Sequence, residues 1–132
     1  MLRSLLFAVL AGMIAPGVAH AVPPGVYTLT IKYLSGQHQE CERFNGSAEA
    51  VVQDGSVKSS LIRSLRLELE PNGAVTGFGY EAMTGHGAAM HLKGKQTPTG
   101  LAGTAGLERW GYMCSISWDL LGPGPVPSKP AP

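Results

Sequence analysis

The segment of residues 83–91 holds the densest set of potential metal ligands in the chain. Its sequence, MTGHGAAMH, brings two thioethers and two imidazoles together. These ligand types suit copper. On an extended strand His86 and Met90 share one face and His91 opposes them, so the ligands converge only if the segment is a loop. A copper or other metal site at His86, Met90 and His91 is therefore an alternative function, although we favour solvent-facing histidines and gap-filling methionines.

Carboxylate pairs are the next candidates for chemistry. Glu40 and Glu42, and likewise Glu68 and Glu70, are two residues apart. Such spacing puts a pair on one side of a strand, whereas glycoside hydrolysis needs two carboxylates that face each other across the substrate. The sequence also has no Gly-x-Ser-x-Gly motif for a nucleophilic serine. We interpret the pairs as exposed polar faces, and we assign no catalytic residue, no metal and no cofactor.

Aromatic residues are the better candidates for a binding site. Phe78 and Tyr80 lie on one predicted strand, and Trp110 and Tyr112 flank a glycine beside another. Aromatic side chains can line a pocket or anchor an interface. The chain has only nine of them, so the same four are also candidates for the core. A second binding hypothesis is a protein inhibitor of an exported enzyme, with residues 34–40 or 83–87 as the inserted loop.

Short alternating runs predict the elements that position these residues. Tyr27, Leu29 and Ile31 alternate with polar residues, a period of two that is typical of a strand. Asp54-Gly55 is a strong hairpin signal. The remaining predicted strands cover residues 48–53, a run beginning at 56, 65–69, 74–80, 88–95, 101–107 and 112–121.

About eight strands with connections too short for crossover helices predict an all-β fold, a small antiparallel meander that closes into a barrel or a sandwich. Residues 57–69 could begin as a helical turn, but their later strict alternation of leucines favours a strand. Glycines inside the later strands predict bends or close approach at barrel corners. They are Gly77, Gly79, Gly94, Gly103 and Gly106.

The two ends of the chain predict an exported protein. Residues 1–21 combine Arg3, an apolar run and a small-residue end at Ala19-His20-Ala21, which indicates a secretory signal peptide. The run is shorter than the ~20 residues that cross a bilayer. Residues 22–121 then form the β domain. Residues 122–132 alternate proline with small residues, which predicts a disordered, extended and solvated tail.

Charge and cysteine content exclude several classes of protein. The 132-residue chain has 10 basic and 9 acidic side chains, which argues against an electrostatic nucleic-acid binder. Two cysteines exclude a disulfide-dense scaffold and an all-cysteine zinc site. In an oxidising compartment Cys41 and Cys114 are expected to join, with two buried free thiols as the alternative. The bond would tie the first part of the meander to its last strand.

The order of these features resembles a diffuse group of small exported, periplasmic β-rich proteins of Gram-negative bacteria. The resemblance covers most of residues 26–121, and members close with a Cys, three residues and a Trp, as Cys114 and Trp118 do here. It implies a fold and a periplasmic compartment but no activity. We therefore predict a monomeric, non-catalytic binding or interaction module of the cell envelope, in the periplasm or secreted. Its expected partner is a small molecule or an envelope protein, without nucleic acid and without membrane insertion after signal removal.

Overall fold

Eight antiparallel strands close into a barrel in the computed structural model, which describes residues 22–109 and 111–123 except for the side chain of Tyr112. The predicted signal peptide, Trp110 and residues 124–132 of the predicted tail lie outside the described residues. The strands are β1 (Gly25–Gly36), β2 (Gly46–Gln53), β3 (Ser56–Ser59), β4 (Ile62–Leu69), β5 (Ala74–Glu81), β6 (Ala89–Thr97), β7 (Gly100–Arg109) and β8 (Tyr112–Leu121). A 3-10 helix, Gln39–Arg43, connects β1 to β2.

Each strand pairs with the next along the chain, and β1 pairs with β8 to complete the ring. The all-β meander is thus confirmed, and of the two predicted architectures the barrel is the one that forms. Residues 57–69, for which a helical turn and a strand were both considered, belong to two strands, β3 and β4, that are joined by a tight turn at residues 60–61. Its beginning is therefore extended and not helical.

The connections divide between two ends of the barrel. Residues 37–45, 60–61 and 82–88 lie at one end together with Gly111, and we call this the disulfide end. Cys41 in the 3-10 helix is bonded there to Cys114 in β8, with their Cα atoms 5.3 Å apart. The predicted disulfide is confirmed. It closes a separation of 73 residues, and in the chain-entropy model a loop of this length contributes about 4 kcal/mol.

The interior is filled by side chains from all eight strands. Alternate residues point inward, and those that are buried are mostly Leu, Ile and Val. An eight-stranded barrel is just wide enough for side chains to fill. The indole of Trp118 lies in this core, 3% exposed, and its Nε1 donates a hydrogen bond to the Thr104 carbonyl oxygen at 3.0 Å. Gly103 is the register partner of Trp118 and adds no side chain opposite this large ring.

Of the predicted bends or close approaches at glycines, close approach occurs at four of the five positions. A Cβ on Gly94 or Gly103 would clash with backbone atoms of the paired strand, and one on Gly79 would clash with the backbone of β4. At Gly77 the nearest atom would be Leu67 Cδ2, at 2.6 Å. The β4–β5 and β6–β7 pairs therefore have little or no room for a side chain where these glycines lie. Gly106 differs, because a Cβ there would meet only the side-chain end of Met113, at 3.5 Å.

Candidate functional site

The outward face of β6 carries three basic residues at alternate positions, which we call the basic row. Because side chains alternate along a strand, Met90 and Leu92 point into the barrel while His91, Lys93 and Lys95 are exposed on its outer wall. Successive members of the row are about 7 Å apart along the strand, and the row spans about 14 Å.

Short side chains on the neighbouring strand leave space beside this row. In the register of β6 with β7, His91 pairs with Gly106, Lys93 with Thr104 and Lys95 with Ala102. Two open depressions of about 640 and 480 Å³ lie over this part of the wall. They share Thr76, Lys93 and Thr104, so they form one continuous surface, which we call the trough.

The trough combines positive charge with hydroxyl groups. Thr76, Thr104 and Ser115 line it together with the basic row of β6. Among the described residues that line the trough, none carries a carboxylate. The nearby carboxylates lie beyond it in the strand register: Glu68 pairs with Thr76, Asp119 pairs with Ala102, and Glu108 is two residues beyond Gly106 on the outward face of β7. The trough is therefore suited to an anionic ligand that also makes hydrogen bonds.

An aromatic edge borders the trough at its β5 side. Phe78 is the register partner of His91, and the two ring centroids are 4.8 Å apart. Tyr80 packs edge-on against Phe78 at 5.3 Å. Phe78 and Tyr80 are 43% and 42% exposed, although large apolar side chains usually lie inside a small domain. Leu34, which also lines the trough, and Met113 are still more exposed on the opposite side.

Of the four residues predicted to bind a ligand, the structure brings two together. Phe78 and Tyr80 lie side by side at the edge of the trough. Trp110 lies outside the described residues, and only the backbone of Tyr112, at the beginning of β8, is described. The basic row of β6 was missed at the sequence level. The alternation of basic residues in HLKGK can be read from the sequence. The residues that lie beside them on β5 and β7 cannot, because they depend on the strand pairing.

The three residues of the alternative metal site lie in different surroundings. Met90 is buried inside the barrel, and His91 is on the outer wall against Phe78. His86 lies in the loop 82–88 at the disulfide end, where its Nε2 is 3.2 Å from Glu40 Oε2 of the 3-10 helix. Within the described part of the chain, no three His, Cys, Asp or Glu side chains are grouped as metal ligands. The structure does not bring these three predicted ligands together.

The carboxylate pairs Glu40/Glu42 and Glu68/Glu70 lie at or near the surface. Glu68 is exposed on the outer wall and Glu70 is exposed just after β4. Glu40 and Glu42 belong to the 3-10 helix beside Cys41.

A different carboxylate, Glu81, organises the disulfide end and was overlooked in the sequence. Its side chain is fully buried. It accepts hydrogen bonds from the Thr84 backbone N–H at 2.8 Å, the Thr84 hydroxyl at 2.6 Å and the Ala88 N–H at 2.8 Å. Burial by itself raises the pKa of Glu81, but these hydrogen bonds and one from the Met83 backbone outweigh it and lower the pKa below its ordinary value. Glu81 therefore holds the loop 82–88 in place as a carboxylate.

Further contacts tie this loop to the rest of the disulfide end. Arg109 Nη1 donates a hydrogen bond to the His86 carbonyl oxygen at 2.6 Å. Together with the approach of His86 to Glu40, this links the loop to both β7 and the 3-10 helix. The only sequence signal for this arrangement was a threonine three residues after a strand-ending glutamate, which is weak by itself.

Comparison with known proteins gives no relative for this arrangement. No protein-family model matches the chain, and no curated protein and no solved structure matches it. The helical residues that the structure describes form no segment with the length and apolar character of a membrane-spanning helix.

Proposed function

We propose that this chain is a non-catalytic binding module of the bacterial cell envelope, and that its ligand surface is the trough with its Phe78–Tyr80 edge. The observation that carries the proposal is the exposure of these two rings. Contiguous exposed apolar patches often mark a surface that contacts a partner or a ligand, whereas apolar residues scattered singly do not. Here the exposed rings adjoin the trough through the contact of Phe78 with His91.

Because side chains fill the interior, we propose the ligand surface on the outer wall. Wider or emptier barrels hold ligands in their mouths or cavities. In this barrel, buried side chains such as Leu29, Leu107 and Trp118 occupy the interior. A ligand that binds without rearranging the core therefore has the outer wall and the loops available.

The proposed location is the periplasm or the exterior. The disulfide between Cys41 and Cys114 is typical of a non-cytoplasmic, oxidising compartment. The predicted signal peptide of residues 1–21 and the resemblance to exported β-rich proteins of Gram-negative bacteria support the more specific assignment.

Chemical-shift mapping tests the binding role. The chain, purified with its disulfide from the periplasm of an expression host, is labelled with ¹⁵N and titrated with fractions of a cell-envelope extract. We expect shifts concentrated at residues 76–80, 91–95 and 102–106. Phe78→Ala should weaken the response, whereas Val51→Ala, which removes a comparably exposed side chain from β2, should preserve it. Shifts confined to the disulfide end, or none with any fraction, would contradict the proposal.

A second candidate is inhibition of an exported enzyme by the loop 82–88. The favouring observation is its anchorage by Glu81, because a loop fixed in advance loses less entropy on binding. Assays of exported proteases and glycosidases with and without the chain test this role. Inhibition that is lost in His86→Ala and kept in Phe78→Ala would support it over the trough.

A further inference from the structure

We propose that the trough binds an acidic oligosaccharide whose carboxylates lie along the basic row of β6. This inference rests on the proposed binding function and names the class of ligand. It comes from three properties of the trough: the arrangement of its charges, its hydroxyl groups and its aromatic edge.

The charges select an extended anion. Lys93 and Lys95 carry positive charges about 7 Å apart along one strand, and the imidazole of His91 continues the row at the same interval as a hydrogen-bonding group, so the row matches a chain with repeated single negative charges. Lysine ammonium groups act as point charges on flexible stems, which suits carboxylates of variable orientation. Glu68 and Asp119 lie one strand further out on either side of the row, and Glu108 lies on β7 beyond its His91 end, so these carboxylates disfavour an anion that strays from β6.

The hydroxyl groups favour a sugar over other anions. Thr76, Thr104 and Ser115 each offer one hydroxyl donor and two acceptor lone pairs at the same surface. Sugar hydroxyls have the same dual character, so each ring can both donate to and accept from the trough. An acidic peptide has a carboxylate but few such partners on its side chains.

The shape and the aromatic edge fit a ring with an apolar face. The β7 backbone forms the floor of the trough. Gly106 has no side chain there and Ala102 has only a methyl group, so a ligand can approach this backbone closely. Phe78 stands beside the floor with almost half of its surface exposed. The C–H face of a pyranose can pack against such a ring while its hydroxyl edge turns to the threonines.

Titration calorimetry with a matched set of probes tests this inference. The primary probe is hexagalacturonate, measured at low ionic strength. Hexaglutamate carries the same number of side-chain carboxylates without sugar hydroxyls, cellohexaose carries hydroxyls without charge, and a hexathymidylate strand represents a nucleic acid. We expect hexagalacturonate to bind more tightly than any of the other three, and its affinity to fall as salt is added.

Two sets of variants locate the site. Lys93→Ala with Lys95→Ala should weaken hexagalacturonate binding at least tenfold, which corresponds to about 1.4 kcal/mol. Lys58→Ala removes a lysine that is also exposed, on β3, and should leave the affinity unchanged. Thr76→Val with Thr104→Val should reduce the preference for hexagalacturonate over hexaglutamate.

Three results would overturn the inference: no binding of hexagalacturonate, binding that the double lysine variant does not weaken, or equal binding of hexaglutamate or hexathymidylate. If hexagalacturonate fails while an envelope extract still shifts residues 91–95, the ligand class is wrong and the binding function is retained. If neither binds, both proposals fail.

Discussion

Replacing Glu81 by glutamine tests whether this buried carboxylate organises the disulfide end. Its two oxygens receive three hydrogen bonds of 2.6–2.8 Å from Thr84 and Ala88. Glutamine keeps one acceptor oxygen but presents an NH₂ group where the carboxylate had its second. At least one buried donor then faces another donor.

The expected loss follows from the number of contacts changed. A hydrogen bond to a charged group contributes about 1.5–3 kcal/mol, and a buried donor left without an acceptor costs about 1–3 kcal/mol. We expect Glu81→Gln to lower the free energy of unfolding by about 2–3 kcal/mol. For a domain near 100 residues, this corresponds to a fall of roughly 10–20 °C in Tm.

Urea denaturation at pH 7, with the disulfide intact, measures this change. Glu68→Gln is the matched control, because Glu68 is exposed on the wall and its replacement should cost less than about 0.5 kcal/mol. A loss below 0.5 kcal/mol for Glu81→Gln as well would refute the assigned role of the buried carboxylate.

The acid dependence provides a second readout of the same group. The folded-state pKa of Glu81 lies below its ordinary value of 4.5, so its contribution to stability is fully present above pH 4.5. That contribution is lost as the pH falls through the lower folded-state pKa. The difference between the wild-type chain and Glu81→Gln should therefore be largest near neutral pH and shrink in acid. A stability difference that grows as the pH falls would contradict the lowered pKa of Glu81.

Three further tests address the core and the closure of the barrel. Cys41→Ala with Cys114→Ala should lower the free energy of unfolding by about 4 kcal/mol in urea denaturation, and reduction of the wild-type chain should reproduce most of this loss. Gly103→Ala forces a Cβ onto the β6 backbone and should cost about 1–3 kcal/mol, whereas Gly106→Ala meets only a flexible side chain and should cost clearly less by the same measurement. Trp118→Phe removes an indole N–H from a backbone carbonyl of β7 and should cost about 1–3 kcal/mol; no change in its denaturation midpoint would contradict that hydrogen bond.

The sequence predicted local features of the fold better than long-range ones. Asp54-Gly55 and the alternation through Leu65 and Leu67 marked the hairpin and β4, because turn chemistry and strand period act between neighbours. The turn at residues 60–61 has no glycine or proline, which is why β3 and β4 were not clearly separated. Barrel and sandwich could not be distinguished, since closure depends on the pairing of β1 with β8.

Only part of the candidate site could be predicted from the sequence, because it too depends on long-range strand pairing. Phe78 and Tyr80 could be identified as candidates from their residue type alone. The trough depends on the register that sets Lys93 between Thr76 and Thr104, three residues far apart in the sequence. The burial of Glu81 likewise depends on a loop that folds back over the end of the barrel.

The close backbone approach at Gly103 connects the packed core with the trough. On the inside it leaves the space opposite Trp118, and on the outside Gly94 and Gly103 form part of the trough floor. Gly103→Ala must displace the β6 backbone at Lys93, so it should weaken hexagalacturonate binding even under conditions where the variant is fully folded. Glu81→Gln destabilises the other end of β5 without touching that floor, and it should keep its affinity while folded. Calorimetry well below both melting temperatures separates the two effects. Equal affinities for both variants would show that the close approach at Gly103 matters for the core alone.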